Sequence, residues 1–504
     1  MASMRFRNNK AKTNDESSNN SIYDSKHGDK KMPNLTIAMW AVVSMAVIFL
    51  FANAVTNGSA DGDNGRNLQH HKNSKHNKKS SKTSKKGFRI SEKKLALHQK
   101  GFGTGKKTTP CPEQFKKKFW IDKGKINQAP ARAFRMQGWE KTDNYEEAQV
   151  IWTYVSTTDW YDDLQPWQRY NHMHNYKLWN RKDTFVTYML AYAEKSGKEL
   201  PAIPETYRLD VESDLNKFKK RLFEGGGINI PWVLKKPSVN QGKGITMLGP
   251  NTKELKHVLD TVEEDKDEQN YIIQRYVCNE MTINNKKFDF RIFWVVASLD
   301  PLIIMYHDGY LRIGNSEYNE KDFSSTTAHL TTHTGLSAEG KGTWDNFSEY
   351  LEDAVKTNPK LKKIKDPTLH VKNQVKQALG EFAAGFKESV FNVDGISSEN
   401  GFGFYGGDFI IDWDLDVFFI EPQHGCGLDE DFQFRVDMHN SLFTEMIDAT
   451  EEIWERQERG LPTDNKSLEN LGGYEIVYND GWMFEYEGYV RSKDKKGCEV
   501  ARKG

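Results

Sequence analysis

The sequence predicts an α+β protein in which mixed or antiparallel sheets build two or three lobes. Three features point there. Large aromatic side chains become dense only at Phe119-Trp120 and then persist through Trp139, Trp152, Trp160, Trp167 and Trp179, which marks the start of a packed body. Along that body, short β-branched and aromatic runs alternate with stretches whose apolar residues recur every three or four positions. The segment from Asn400 to Gln423 reads as a hairpin of two nearly continuous apolar strands. With 504 residues, the chain can lose its first hundred and still fill several lobes around a sizeable core.

The N-terminal end has a different composition. Residues 1–33 form a polar tail, and Asn34 to Ala60 carries no charge. Residues 34–56, apolar from Leu35 to Val55 with Trp40 inside, supply one bilayer crossing and predict a transmembrane helix. A cleavable signal ending at Ala52-Asn53-Ala54 is the competing reading; the long polar leader and the length of the apolar run weigh against it. Lys26, Lys30 and Lys31 precede the span, whereas Arg66, Lys72, Lys75, Lys78 and Lys79 follow it, so flanking charge does not decide its orientation.

Residues 57–115 are expected to be a disordered Lys-rich linker. From Asn64 to Lys118, seventeen Lys or Arg face only Glu92 and Glu113, and there is too little apolar surface to offset ordering entropy. Such a polycation suits anionic lipid or an acidic protein surface, or serves as a solvated spacer. From Phe119 onward the balance reverses, with forty-seven basic against sixty-three acidic residues. That acidic body argues against nucleic acid as partner. The four cysteines, Cys111, Cys278, Cys426 and Cys498, form no CxxC pair, which supports neither a disulfide framework nor a zinc ribbon and predicts unpaired thiols in a reducing compartment. Cys426, between two glycines, reads as a space-filling residue rather than a nucleophile.

Within the body, residues 116–225 form a first lobe: Val150–Val155 reads as a strand, and Phe185–Glu194 and Leu209–Phe223 as helices. Gly225-Gly-Gly227 breaks the chain and marks a lobe boundary. Residues 226–460 carry the chemistry, and 461–504 read as a C-terminal extension. Trp232-Val-Leu-Lys-Lys-Pro237 is a strand ending in lysines, followed by the glycine-flanked loop Ser238–Ile245. Lys235 could reach a phosphate there, while Gly242 and Gly244 let backbone N–H groups approach. A plain hairpin turn with a solvated Lys243 fits the same letters, and the spacing is not that of a P-loop.

Lys287, Asp289 and Arg291 alternate with Phe288 and Phe290, so on a strand the three charges share one face and the aromatics enter the other. A charged face of that kind fits a polyanion, with Arg291 as a fork for phosphate oxygens and Asp289 orienting a cation or a ribose. An exposed edge strand with a surface salt bridge is the plain alternative. Arg312 is the lone charge on the apolar stretch after Gly309. In the hairpin, Asp408 on one strand and Glu421 with Gln423 on the other can converge at one end and face. Oxygen donors gathered in this way suit Mg²⁺, and carboxylates on strands this apolar need a counter-ion or a metal.

Taken in order, Lys235, Gln241-Gly-Lys-Gly244, Gln274-Arg-Tyr276, Lys287-Phe-Asp-Phe-Arg291, Gly309-Tyr-Leu-Arg312, His329-Leu-Thr331 and Asp408 with Glu421 resemble the tubulin tyrosine ligase-like family of the ATP-grasp superfamily. The resemblance runs from about Trp139 to Gly427, and Tyr170-Asn-His-Met173 through Lys182-Asp183 is similar to that family's N-terminal lobe. It implies an ATP-grasp ligase fold using ATP and Mg²⁺. Lys235 and Gln241, Gly242, Lys243 and Gly244 would contact ATP phosphates; Gln274, Arg275, Tyr276 and Val277 would form the adenine-side hinge. Arg291, Arg312 and Lys287 would act on the developing negative charge, with Asp289 and Thr331 lining the same cleft. Asp408, Glu421 and Gln423 would hold the metal.

By the same resemblance, a free amino acid, glutamate by preference, would be joined to an acidic protein tail such as tubulin's through an acylphosphate. Microtubule association would follow, while an ATP-consuming domain and unpaired cysteines, against the immediate flanks of the span, favour a catalytic domain that faces the cytosol from its membrane anchor. Two departures stand out: Glu421-Pro-Gln423 replaces the usual Glu-x-Asn, and Thr332 stands where the family often has Asn. The alternatives are an ATP-grasp ligase with a non-tubulin substrate and a membrane-tethered pseudoenzyme that binds acidic proteins.

Overall fold

The computed structural model describes residues 108–124, 126–155, 163–173, 180–200, 202–237, 239, 242–264, 270–331, 341–390 and 400–487. The polar tail, the expected transmembrane segment 34–56 and nearly all of the linker lie outside them, as do Gln241, Thr332, Trp160 and Trp179. Among the described residues no helix is long and apolar enough to cross a membrane.

The body is a mixed α/β structure of three sheets. A parallel layer comes first, in the order β2-β1-β3-β4: β1 (Lys118–Ile121), β2 (Glu140–Lys141), β3 (Val150–Trp152) and β4 (Arg169–Tyr170). The expected strand Val150–Val155 is thus shorter, ending where Tyr154 and Val155 become exposed. A small antiparallel sheet follows, ordered β5-β8-β6-β7: β5 (Thr206–Arg208), β6 (Trp232–Lys235), β7 (Ile245–Leu248) and β8 (Ile272–Arg275).

The central sheet is antiparallel and eight-stranded. It contains β9 (Thr282–Ile283), β10 (Lys286–Leu299), β11 (Leu302–Glu317), β12 (Lys341–Gly342), β13 (Gly403–Ile411), β14 (Val417–Gln423), β15 (Glu475–Asn479) and β16 (Trp482–Met483). Its main path runs β14-β13-β10-β11-β15-β16. The helices Lys182–Ser196, Trp344–Thr357 and Pro367–Val390 cover one face. The helix Gln433–Arg459 and the parallel layer cover part of the other.

Strand β10 shows how alternation builds both core and site. Phe288, Phe290, Ile292, Trp294 and Val296 enter the first core, where Trp294 lies 4.8 Å from the Tyr405 ring and its indole N–H donates to the Gly406 carbonyl at 2.9 Å. The opposite parity supplies Lys287, Asp289 and Arg291 at one end, then Phe293, Val295 and Ala297 beneath the helix Gln433–Arg459. One face of one strand is therefore a cleft floor for half its length and a hydrophobic core for the rest.

Two domain expectations change. Gly225–Gly227 does not separate lobes: β5 pairs with β8, and Phe218 and Leu222 of the helix Glu212–Phe223 share a core with Trp232 and Leu234. The small lobe starts before those glycines because β5 must complete its sheet. Likewise, the C-terminal segment is no appendage, since β15 pairs with β11 and buries Ile476 and Val477.

Candidate active site

A cleft of about 720 Å³ opens between the small sheet and the central sheet, a volume suited to a nucleotide-sized ligand. The small sheet contributes Val233, Lys235, Met247 and Gln274; the strands β10, β11, β13 and β14 contribute the charged floor. Lys235 is buried at the end of β6, and its ammonium donates to Gln274 Oε1 at 2.7 Å, while the Gln274 amide donates to Thr206 Oγ1 at 2.9 Å. Burial pulls Lys235 down to about 8, against the opposing pull of Glu421.

The floor is a network of ion pairs. Arg291 holds Asp408 in a two-pronged contact, Nε to Oδ1 at 2.5 Å and Nη2 to Oδ2 at 3.0 Å. Arg312 holds Asp289 in the same way at 2.6 and 2.8 Å and reaches Asp408 Oδ2 at 3.0 Å. The Thr331 hydroxyl also donates to Asp289. Burial favours the protonated form of Asp408, yet the Arg291 and Arg312 guanidiniums outweigh it and hold the carboxyl at about 2. Lys287 pairs with Glu280 at 2.8 Å and lies over the Tyr276 ring. Tyr276 in turn meets His329 Nδ1 at 2.8 Å.

The expected convergence at the hairpin is present, and a β-bulge makes it. Asp408 pairs with Glu421 and Gly406 with Gln423, but Phe409 pairs with Phe419, so the register shifts across Ile420. Phe419 therefore points into the core while Glu421 and Gln423 turn to the cleft beside Asp408. The Gln423 amide nitrogen lies 3.2 Å from Asp408 Oδ2 and 2.6 Å from Glu421 Oε1. A polar hydrogen donor thus bridges two carboxylates, where a hard cation would find the same oxygens. Turned about its last torsion, the amide would present its own oxygen, because O and N are near-equivalent in shape. The donor set fits Mg²⁺. Among the described residues no cluster of three or more His, Cys, Asp or Glu side chains gathers as a metal site; this one consists of two carboxylates and an amide.

Arg275, Tyr276, Val277 and Gly242 also line the cleft, whereas Lys243 is exposed and, with Gly244, stands outside its lining. Sequence reasoning missed two partners. Lys182, at the start of its helix, pairs with Glu421 at 3.0 Å and donates to the Val239 carbonyl at 3.2 Å, joining the glycine-flanked loop to the Asp408 and Glu421 end of the cleft. Glu280, Lys287's partner, sits in a stretch with no pattern to announce it. Burial pushes the Cys426 thiol up to about 12, consistent with a space-filling role. Among the described cysteines, Cys111 and Cys426 are free and buried.

Residues 162–457 match the Tubulin-tyrosine ligase family. The chain belongs to that family. It is 25% identical over 385 residues to the probable tubulin polyglutamylase ttll-9 of Caenorhabditis elegans, covering 72% of this chain and 86% of the relative. A probable tubulin polyglutamylase of Rattus norvegicus is 24% identical over 407 residues, covering 70% and 82%. The protein polyglycylase TTLL10 of Mus musculus is 25% identical over 320 residues, covering 56% and 44%. In fold, the chain is similar to the C-terminal domain of K. lactis Pby1, an ATP-grasp enzyme, at a TM-score of 0.50 and 17% identity over 72% of this chain and 98% of that one. This member of the tubulin-tyrosine ligase family is an ATP-dependent carboxylate–amine ligase of ATP-grasp type.

Proposed function

We propose that the chain joins glutamate to a carboxylate on an acidic protein tail, tubulin's being the preferred acceptor, with ATP as energy source. The observation that carries this reading is the meeting of Asp408, Glu421 and Gln423 with Arg291 and Arg312 in one cleft, in a chain similar to proteins named for tubulin polyglutamylation. Val233, Met247, Tyr276 and Val277 offer an apolar slot for adenine. Lys235 meets the phosphates. A carboxylate oxygen of the acceptor attacks the γ-phosphorus and ADP leaves, giving an acylphosphate. The glutamate amine then attacks the acyl carbon, phosphate leaves, and the amine loses a proton as the amide forms.

Arg291 and Arg312 face the oxygens on which charge gathers in both steps, and their ion pairs hold them in place beforehand, which lowers the reorganisation needed at the transition state. Mg²⁺, held by Asp408, Glu421 and Gln423, would neutralise phosphate charge. The uncharged segment 34–56 is read as a membrane anchor, with the ligase on the cytosolic side and the Lys-rich linker drawing acidic tails toward the cleft. Competing labelled glutamate, glycine and tyrosine against one another on tubulin tests the substrate choice: glutamate incorporation should exceed the others by about tenfold, and a preference for glycine or tyrosine would refute it.

A further inference from the structure

Four cations that line the cleft each hold a carboxylate. Lys182 is paired with Glu421, Lys287 with Glu280, Arg291 with Asp408 and Arg312 with Asp289. Arg435 lines the same cleft, is only 3% exposed, and has no ion pair among the described residues. One Nη donates to the Gly427 carbonyl, and the guanidinium lies over the Tyr310 ring at 5.3 Å. Its Nε is buried without a hydrogen-bond partner. The nearby Glu430 is already taken, held by Arg132 at 2.6 and 3.1 Å and facing His439 at 3.3 Å. Asp429 lines the cleft as well but makes no ion pair with Arg435.

A buried guanidinium with an idle donor and no counter-charge is strongly unfavourable on its own, and an anion supplied from the cleft would relieve it. The setting reinforces this. Arg435 is in the first turn of the helix Gln433–Arg459, whose N-cap residue Phe432 provides no side-chain cap, so the helix end adds positive potential. Burial, and then the Arg435 charge, pull His439 down to about 4, so that imidazole adds no cation to compete for the anion. Tyr310, on which Arg435 stacks, is the cross-strand neighbour of Arg291. Arg435 therefore sits on the central-sheet side of the reaction centre, not on the small-sheet side where Lys235 and Gln274 face the nucleotide.

We propose that Arg435 is a substrate-binding residue whose guanidinium receives a reactant's carboxylate. This rests on the ligase reading above and adds the group that recognises a reactant. The carboxylate belongs either to the incoming amino acid or to the acceptor tail, and the chemistry is shared. The test measures equilibrium binding of free glutamate and of a Glu-rich peptide to the full chain, with Mg²⁺ and a non-hydrolysable ATP analogue, for wild type, Arg435→Lys and Arg435→Gln. Binding of one ligand should weaken by about 10- to 100-fold in the Gln variant, with partial recovery in the Lys variant and nucleotide affinity unchanged. Weakened glutamate identifies the amino acid as the source; weakened peptide identifies the acceptor.

The proposal is overturned if both ligands bind all three proteins alike, if wild type binds neither, or if the losses only track a lower melting temperature together with lost nucleotide binding. Should the Gln variant not fold, the Lys variant, which keeps the charge and loses the fork, decides by the same criterion. Failure of the ligase reading would appear separately, as intact binding with no incorporation.

Discussion

Lys235 is a single buried amine whose protonation couples the site to pH. Its phosphate-binding form is the ammonium, and burial pulls it from its ordinary 10.5 to about 8. ATP affinity should therefore be nearly full at pH 7 and fall through pH 8, becoming about tenfold weaker at pH 9 than at pH 7; a flat binding profile across that interval would contradict the assignment. For stability the sign is reversed. Between about 8 and 10.5 the unfolded lysine keeps a proton that the folded one has released, so this residue's contribution to stability rises with pH there. Glu280 gives a second prediction at this scale. Its carboxylate is the ion-pair partner of the Lys287 ammonium in a buried environment, so Glu280→Gln leaves that charge uncompensated and should cost roughly 3–5 kcal/mol in urea unfolding. Lys287, Asp289 and Arg291 were legible in the sequence because strict alternation with Phe288 and Phe290 marks a two-faced strand. Lys182 and Glu280 were not, because a partner that arrives from a distant element leaves no local pattern.

Strands β11 and β14 both break alternation to place their functional residues. On β11, Ile303 and Met305 face the second core, yet Tyr310 and Arg312 face the same side of the sheet despite their opposite parity. The pairing with β10 shifts between Arg291 and Phe293, opposite His307 to Tyr310, and this resets the phase. Gly309 sits at that shift, where an added Cβ would lie 1.7 Å from the Arg291 carbonyl oxygen. Gly309→Ala must push β10 and β11 apart. It should lose about 3 kcal/mol or more in denaturant unfolding and weaken ATP binding with it; a variant with unchanged stability would mean the close approach is not needed. The shift across Ile420 does the same for Glu421. Counting alternate residues on from Phe419 would send Glu421 into the core, so the convergence of Asp408, Glu421 and Gln423 was readable while the bulge that creates it was not. The small lobe's start at β5 was hidden for a related reason: a three-residue strand is too short to show a period, whereas three consecutive glycines announce a break that the packing ignores.

Across the whole chain, an acidic body follows a strongly basic segment, and the two have separable roles in this account. The cleft does the chemistry and the linker gathers acceptor. Deleting residues 64–105 should leave ATP binding unchanged, raise KM for an acidic acceptor, and flatten the dependence of that KM on salt, since exposed charge is screened within about 8 Å at physiological ionic strength. Equal salt dependence with and without the segment would remove it from acceptor capture. Incorporation of labelled glutamate into tubulin with Mg²⁺ and ATP, measured for the wild-type chain beside Glu421→Gln, tests the ligase activity itself. Wild type should incorporate glutamate only with ATP, and the variant should lose at least a hundredfold, roughly 3 kcal/mol of transition-state stabilisation. No incorporation by wild type, or equal incorporation by both, would contradict it.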